Sequence, residues 1–162
     1  MNVIKEPKMI KGGRFIDDRG ILVHNNNLDF AKSDIKRSYT IKHNQLGYIR
    51  SYHGHSHESK FLQVTDGIFK VIAIPLEEFK VDNRHCVVEQ RRIRKKYPPF
   101  FLEDNGDVLS IPAGYAHGFQ NLTNSGIITF YSDMDIEDSL NDDIRFNWDF
   151  WGSNMWSLKE YR

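Results

Sequence analysis

Residues 106–121 read GDVLSIPAGYAHGFQN, and each part of the stretch has a physical reason. Gly106 closes a turn that Asn105 begins. The run VLSI that follows has the length and the apolar character of a strand. Pro112, Ala113 and Gly114 end it, because proline supplies no N–H to a ladder and glycine tolerates backbone angles closed to other residues. His117 opens the next strand and points back into whatever the sheets enclose.

Outward from this stretch the chain reads as short strands between turn residues. Residues 37–42 (RSYTIK) are β-branched and aromatic. Residues 61–64 and 68–75 flank Thr65-Asp66-Gly67, where Asp-Gly signals a hairpin. Residues 127–132 (IITFYS) follow the turn Asn124-Ser125-Gly126, and residues 86–93 (CVVEQRRI) also read as a strand. Helical patterns are short: 28–32, 77–79 and the acidic stretch 138–144. Strands at this spacing predict an all-β sandwich or barrel.

The 162 residues fit one domain, 1–162, with an aromatic tail, 141–162, that holds all three tryptophans and is expected to pack back on the barrel. Twenty-two basic and 22 acidic residues leave no net charge, which argues against nucleic-acid and acidic-membrane partners. The run RRIRKK at 91–96 then reads as a solvated face. A lone cysteine, Cys86, excludes a disulfide framework and reads as a small buried residue. No apolar run approaches the ~18 residues of a membrane helix, and MNVIKEPK lacks the apolar core of a signal peptide, so a cytoplasmic location is expected.

The spacing Gly106, five residues, Pro112-x-Gly114, two residues, His117, three residues, Asn121 resembles the second signature of the cupin family at every fixed position. The resemblance implies an antiparallel double-stranded β-helix, the jelly-roll barrel. The first cupin signature, His-x-His followed by a glutamate, is met in part by residues 52–67, YHGHSHESKFLQVTDG. His53, His55 and His57 are two apart, so on a strand all three share a face. Lys60, Phe61 and Leu62 stand where the glutamate belongs, and Glu58 comes too early. A lysine opposes a divalent cation by charge, so no metal and no cofactor are expected. A metal-dependent cupin with a four-imidazole site including His117 is the competing reading.

The surrounding residues are similar to the sugar-nucleotide branch of the cupins. Asp17-Asp18-Arg19-Gly20 resembles the opening of dTDP-4-dehydrorhamnose 3,5-epimerases, whose arginine lies by the nucleotide phosphates. Ile49-Arg50-Ser51-Tyr52-His53 is similar to their Leu-Arg-Gly-Leu-His, which implies His53 as base. Lys60 falls near their active-site lysine and Tyr131 on their acid tyrosine. The base's carboxylate partner lies close to their C-terminus, where Glu160 is the candidate. Ile35-Lys36-Arg37-Ser38-Tyr39 and Arg50-Ser51-Tyr52-His53-Gly54-His55 resemble dTDP-4-keto-6-deoxyglucose 3,4-ketoisomerases. The family also implies a homodimer, often with exchanged N-terminal strands.

Both relatives remove a proton beside a ketone, which needs a base with a pKa near working pH and positive charge where the enolate oxygen develops. His53, Lys60, Tyr131 and His55 are the catalytic candidates. Arg19, Arg50, Arg37, Tyr39 and His117 are the substrate-binding ones, guanidinium forks matching phosphate oxygens. The expected activity is epimerisation at C3 and/or C5 of a nucleotide-linked 4-keto-6-deoxy sugar for surface polysaccharides. Alternatives are 3,4-ketoisomerisation and a non-catalytic sugar-binding module.

Overall fold

The computed structural model describes residues 6–80 and 85–157. Twelve strands lie among them: β1 (Lys8–Ile10), β2 (Gly13–Asp17), β3 (Gly20–His24), β4 (Arg37–His43), β5 (Ile49–His55), β6 (Lys60–Asp66), β7 (Ile68–Pro75), β8 (Phe100–Glu103), β9 (Val108–Ile111), β10 (Tyr115–Asn121), β11 (Gly126–Ser132) and β12 (Ile144–Arg145). Two five-stranded sheets, in the orders β1-β9-β6-β11-β4 and β12-β5-β10-β7-β8, face each other, and β2-β3 forms a separate hairpin. The pairings within the sheets and the hairpin are antiparallel. This is the all-β jelly-roll arrangement expected.

Side-chain alternation explains why β7 is buried almost throughout. Phe69, Val71 and Ala73 join Leu62, Val64, Leu109, Ile128 and Phe130 in the core between the sheets. Ile72 and Ile74, on the other face, join a second core outside the second sheet with Tyr52, Phe79, Ile93, Trp151, Met155 and Trp156. A sheet covered on both sides loses the polar half of its alternation. Each fully buried large apolar side chain contributes about 1.5–3 kcal/mol. Trp148 stays half-exposed.

The signature stretch folds as its residues dictate. Gly106 has φ +84°, and a Cβ there would lie 2.3 Å from the carbonyl oxygen of His24. Asn121 is fully buried. Its amide donates to the carbonyls of Gln45 and Thr123 and accepts from the Thr123 backbone, which fixes two loops at the barrel end.

Four local expectations are corrected. Residues 86–93 are not a strand: α1 (Val87–Lys96) occupies them, with Ile93 its buried residue. Glu, Gln, Arg and Lys favour helix, and Arg92 and Lys96, one turn apart, both reach Glu78 on the 3-10 turn Leu76–Lys80. The basic run is thus a helix face. Cys86, at its N-terminus, is exposed. Residues 28–32 form only a turn. In the acidic stretch, α2 (Ile136–Asn141) starts at Asp135, whose carboxylate caps the Asp138 N–H, and the chain leaves it as strand β12.

Candidate active site

A cavity of about 370 Å³ opens between the two sheets, a size suited to a small molecule. Its walls follow from strand alternation. From the first sheet come Arg37, Tyr39 and Ile41 of β4, Lys60 of β6 and Phe130 of β11. From the second come Arg50, His53 and His55 of β5 with His117 and Phe119 of β10. Ile136, Ser139 and Leu140 of α2 and the following Asp143 close one side.

The predicted residues therefore meet in one place, with two exceptions. Tyr131 faces outward. On β11, Phe130 and Ser132 are buried and Tyr131 alternates with them. Its hydroxyl donates to Gln63 and its ring meets Phe30 edge-on. Arg19 stands at the turn of the β2-β3 hairpin, exposed and paired with Asp17. His57 also departs from expectation: it lies beyond the end of β5 and is exposed, while His53 and His55 face inward. His53 pairs with His117 in register across β5 and β10.

His53 Nδ1 lies 3.4 Å from Asp143 Oδ1. The carboxylate can only accept, so this contact places the proton on Nδ1 and leaves Nε2 as the basic nitrogen. Burial holds the His53 pKa below the usual imidazole value, and Asp143 opposes that shift. His53 is thus neutral and basic near neutral pH. Asp143 is itself held by Arg145 at 2.8 Å. Its neighbour Asp142 accepts the backbone N–H groups of Ser56, His57 and Glu58, which ties the segment after α2 to the end of β5. His117 lies deepest, and burial pushes its pKa well below the usual value.

Across the cavity a fully buried carboxylate, Glu58, gathers the cations. Oε1 accepts from Lys60 Nζ at 2.5 Å, from Arg37 Nη2 at 3.0 Å and from the Ser132 hydroxyl. Oε2 accepts from Ser139 at 2.7 Å. His55 Nδ1 lies 3.1 Å from Oε2, an ion-pair distance without hydrogen-bond alignment. The Tyr39 ring stacks on Phe130, with Arg37 and Lys60 over its face. Burial pushes the Tyr39 pKa up to about 12, so its hydroxyl keeps its proton. Burial lowers the Lys60 pKa, and Glu58 opposes the shift.

Asp143 and Glu58 were not identified by sequence reasoning. Asp143 is separated from His53 by 90 residues, and only the acidic run around it hints at a role. Glu58 falls outside the metal-ligand spacing because it binds side-chain cations instead. Glu160 lies outside the described residues. The rings of His53 and His55 are centred 6.5 and 6.0 Å from that of His117. Among the described residues no group of three or more His, Cys, Asp or Glu is arranged to hold a metal ion.

No protein-family model and no curated protein sequence matches the chain. Solved structures do. The chain is similar to dTDP-4-dehydrorhamnose 3,5-epimerase from Elizabethkingia anophelis, with 18% identity, TM-score 0.68, and coverage of 99% of this chain and 86% of that one. The Bacillus anthracis epimerase, solved with TDP and pyrophosphate, has 21% identity, TM-score 0.67, and coverage of 91% and 82%. The sugar 3,4-ketoisomerase QdtA from Thermoanaerobacterium thermosaccharolyticum, in complex with TDP, has 20% identity, TM-score 0.62, and coverage of 96% of both chains. A variant of QdtA has also been crystallised with TDP-4-keto-6-deoxyglucose. The chain has the fold these enzymes share.

Proposed function

We propose that the protein is an isomerase of nucleotide-linked 4-keto-6-deoxy sugars, in which His53 removes the proton from the carbon next to the ketone. The observation that carries this reading is the His53–Asp143 pair facing Lys60 and Arg37 across the cavity, with Arg50 beside His53 on β5. The neighbours of the same fold that bind TDP and a TDP-4-keto sugar support the substrate class.

The chemistry balances without a cofactor. His53 takes the C3 proton, the C–H electron pair forms the C3–C4 double bond, and the C4 oxygen gains a proton near Lys60. Fixed positive charge in a water-poor site stabilises that oxygen far better than solvent does. In ketoisomerisation the C3 hydroxyl of the enediol then loses its proton, the carbonyl forms at C3, and C4 is protonated on carbon. The neighbouring imidazoles His53, His55 and His117 on one wall suit this shuttling. The outward placement of Tyr131 removes the acid that 3,5-epimerisation borrowed from the resemblance. Epimerisation keeps one specific support: Tyr39 lies on the wall opposite the imidazoles with its hydroxyl protonated.

The single chain leaves Arg19 unused and Phe15, Ile16, Ile21 and Leu22 of its hairpin exposed. Those four side chains support a homodimer in which the hairpin packs on a second copy, carrying Arg19 towards that copy's phosphate end. A cytoplasmic site, where nucleotide sugars for surface glycans are made, fits this substrate class. No helix among the described residues is long and apolar enough to cross a membrane.

Incubating the protein with a TDP-4-keto-6-deoxy sugar in D2O tests the reading. Deuterium at C4 with the ketone moved to C3 is the expected result. Deuterium at C3 and C5 with the ketone still at C4 selects epimerisation by Tyr39 instead. No deuterium with any such sugar overturns the enzymatic reading.

A further inference from the structure

We infer that Glu58 is a positioning residue for the isomerase chemistry proposed above: its carboxylate holds Lys60 and Arg37 charged and aimed at the cavity, and through Ser139 locks α2 over it. Three independent placements point there. Glu58 is 1% exposed, and its oxygens accept from four side chains on four elements: Arg37 of β4, Lys60 of β6, Ser132 of β11 and Ser139 of α2. Ser139 also accepts from Arg37 Nη2 at 2.7 Å, so cation, carboxylate and cap helix form one closed ring. The backbone N–H of Glu58 in turn donates to Asp142, the residue before the partner of His53. One buried carboxylate is thereby connected to both walls of the site.

The charge arithmetic makes the carboxylate necessary for those cations. Lys60 is 3% exposed, and an ammonium removed from water needs a counter-charge. The groups facing Lys60 are Glu58, Arg37, Asp133, Tyr39, His55 and His117. Of these, only Glu58 is an anion bonded to it. Without Glu58 the lysine faces Arg37 with no neutralising partner in contact, so its charged form is disfavoured and its ammonium is no longer aimed by a bonded carboxylate. A lysine less firmly charged and less well aimed stabilises a developing enolate oxygen less.

The test is Glu58→Gln, compared with Glu58→Asp. Lysine NMR follows the titration of Lys60, assigned by its loss in Lys60→Met, and deuterium incorporation from D2O into the sugar product gives kcat and KM. In Glu58→Gln the Lys60 titration is expected to fall by about one pH unit or more. Its kcat is expected to fall about 100-fold, with KM changed less than about threefold. Glu58→Asp keeps the charge on a shorter arm. Its Lys60 titration is expected to stay, while kcat drops about tenfold. If Glu58→Gln does not fold, Glu58→Asp decides, and full kcat there overturns the inference. A folded Glu58→Gln whose Lys60 titrates as in the parent also overturns it. Should the parent protein exchange no sugar proton, the proposed reaction fails, and the Lys60 titration still decides whether Glu58 holds the charge.

Discussion

Asp143 Oδ1 sits 3.4 Å from His53 Nδ1 although the two residues are 90 positions apart. The pair exists because Asp142 accepts three successive backbone N–H groups at the end of β5 and so docks the segment after α2 beside the histidine. Asp143→Asn is expected to reduce kcat about 10–100-fold, since the imidazolium formed on proton abstraction loses its carboxylate. The pH profile gives the sign. Burial lowers the His53 pKa and Asp143 raises it, so the acid limb of kcat/KM lies below pH 6.5 in the parent. In Asp143→Asn that limb moves to still lower pH. A limb that moves upward contradicts the assignment.

The two tyrosines separate the walls of the barrel. Tyr131 hydrogen-bonds Gln63 on the outer face, and Tyr39 lines the cavity. Tyr131→Phe is expected to leave deuterium incorporation into the sugar within about twofold of the parent, losing one surface hydrogen bond. Tyr39→Phe is expected to lower it about tenfold or more. Steady-state exchange rates of the two variants check this, and the reverse ranking returns the acid role to Tyr131.

His43 is a stability liability outside the chemistry. It packs against Tyr48, Phe69 and Phe119, and neither ring nitrogen has a hydrogen-bond partner. His43→Phe is expected to stabilise the fold by about 1 kcal/mol, because a buried unsatisfied polar group is removed at similar shape. Burial also lowers the His43 pKa. The unfolded chain therefore binds this proton more readily, and the stability it withholds is lost as pH falls below the unfolded value near 6.5. Thermal unfolding of His43→Phe between pH 7.5 and 5 is expected to show a higher midpoint and a shallower decline. An unchanged decline contradicts the burial argument.

Gly118 makes room for a serine. A Cβ on it would lie 2.2 Å from Cβ of Ser51 and 2.9 Å from Trp156. Gly118→Ala is expected to cost about 1–3 kcal/mol by overpacking. Ser51→Gly added to it is expected to restore part of that, with the Trp156 contact retaining the remainder. Denaturant midpoints of the two single variants and the double variant measure the coupling.

The barrel was legible because its decisive residues act locally. Pro112 and Gly114 end one strand, Asp66-Gly67 turns another, and β-branched residues fill the runs between. The inward histidines His53, His55 and His117 followed from signature spacing combined with the two-residue period of strands, while Lys60, Arg37, Tyr39 and Arg50 came from the resemblance to the two sugar-nucleotide enzyme families. What failed was non-local. Residues 86–93 begin with Cys-Val-Val, a strand signal in isolation, yet Glu78 draws Arg92 and Lys96 together on a helix. Tyr131 sat one residue out of phase with the cavity-lining Phe130, and a one-residue change of phase turns a side chain to the other face. Asp143 and Glu58 find their roles only after the chain has closed on itself, through contacts that no spacing within a motif encodes.

One comparison addresses the role of His53 most directly: deuterium incorporation from D2O into the ring carbons of a TDP-4-keto-6-deoxy sugar by the parent, His53→Ala and His85→Ala. His85 is exposed and lines no part of the cavity. The account expects incorporation by the parent and by His85→Ala, and its loss in a folded His53→Ala. Incorporation by His53→Ala at the parent rate would show that another group takes the proton and would contradict the account.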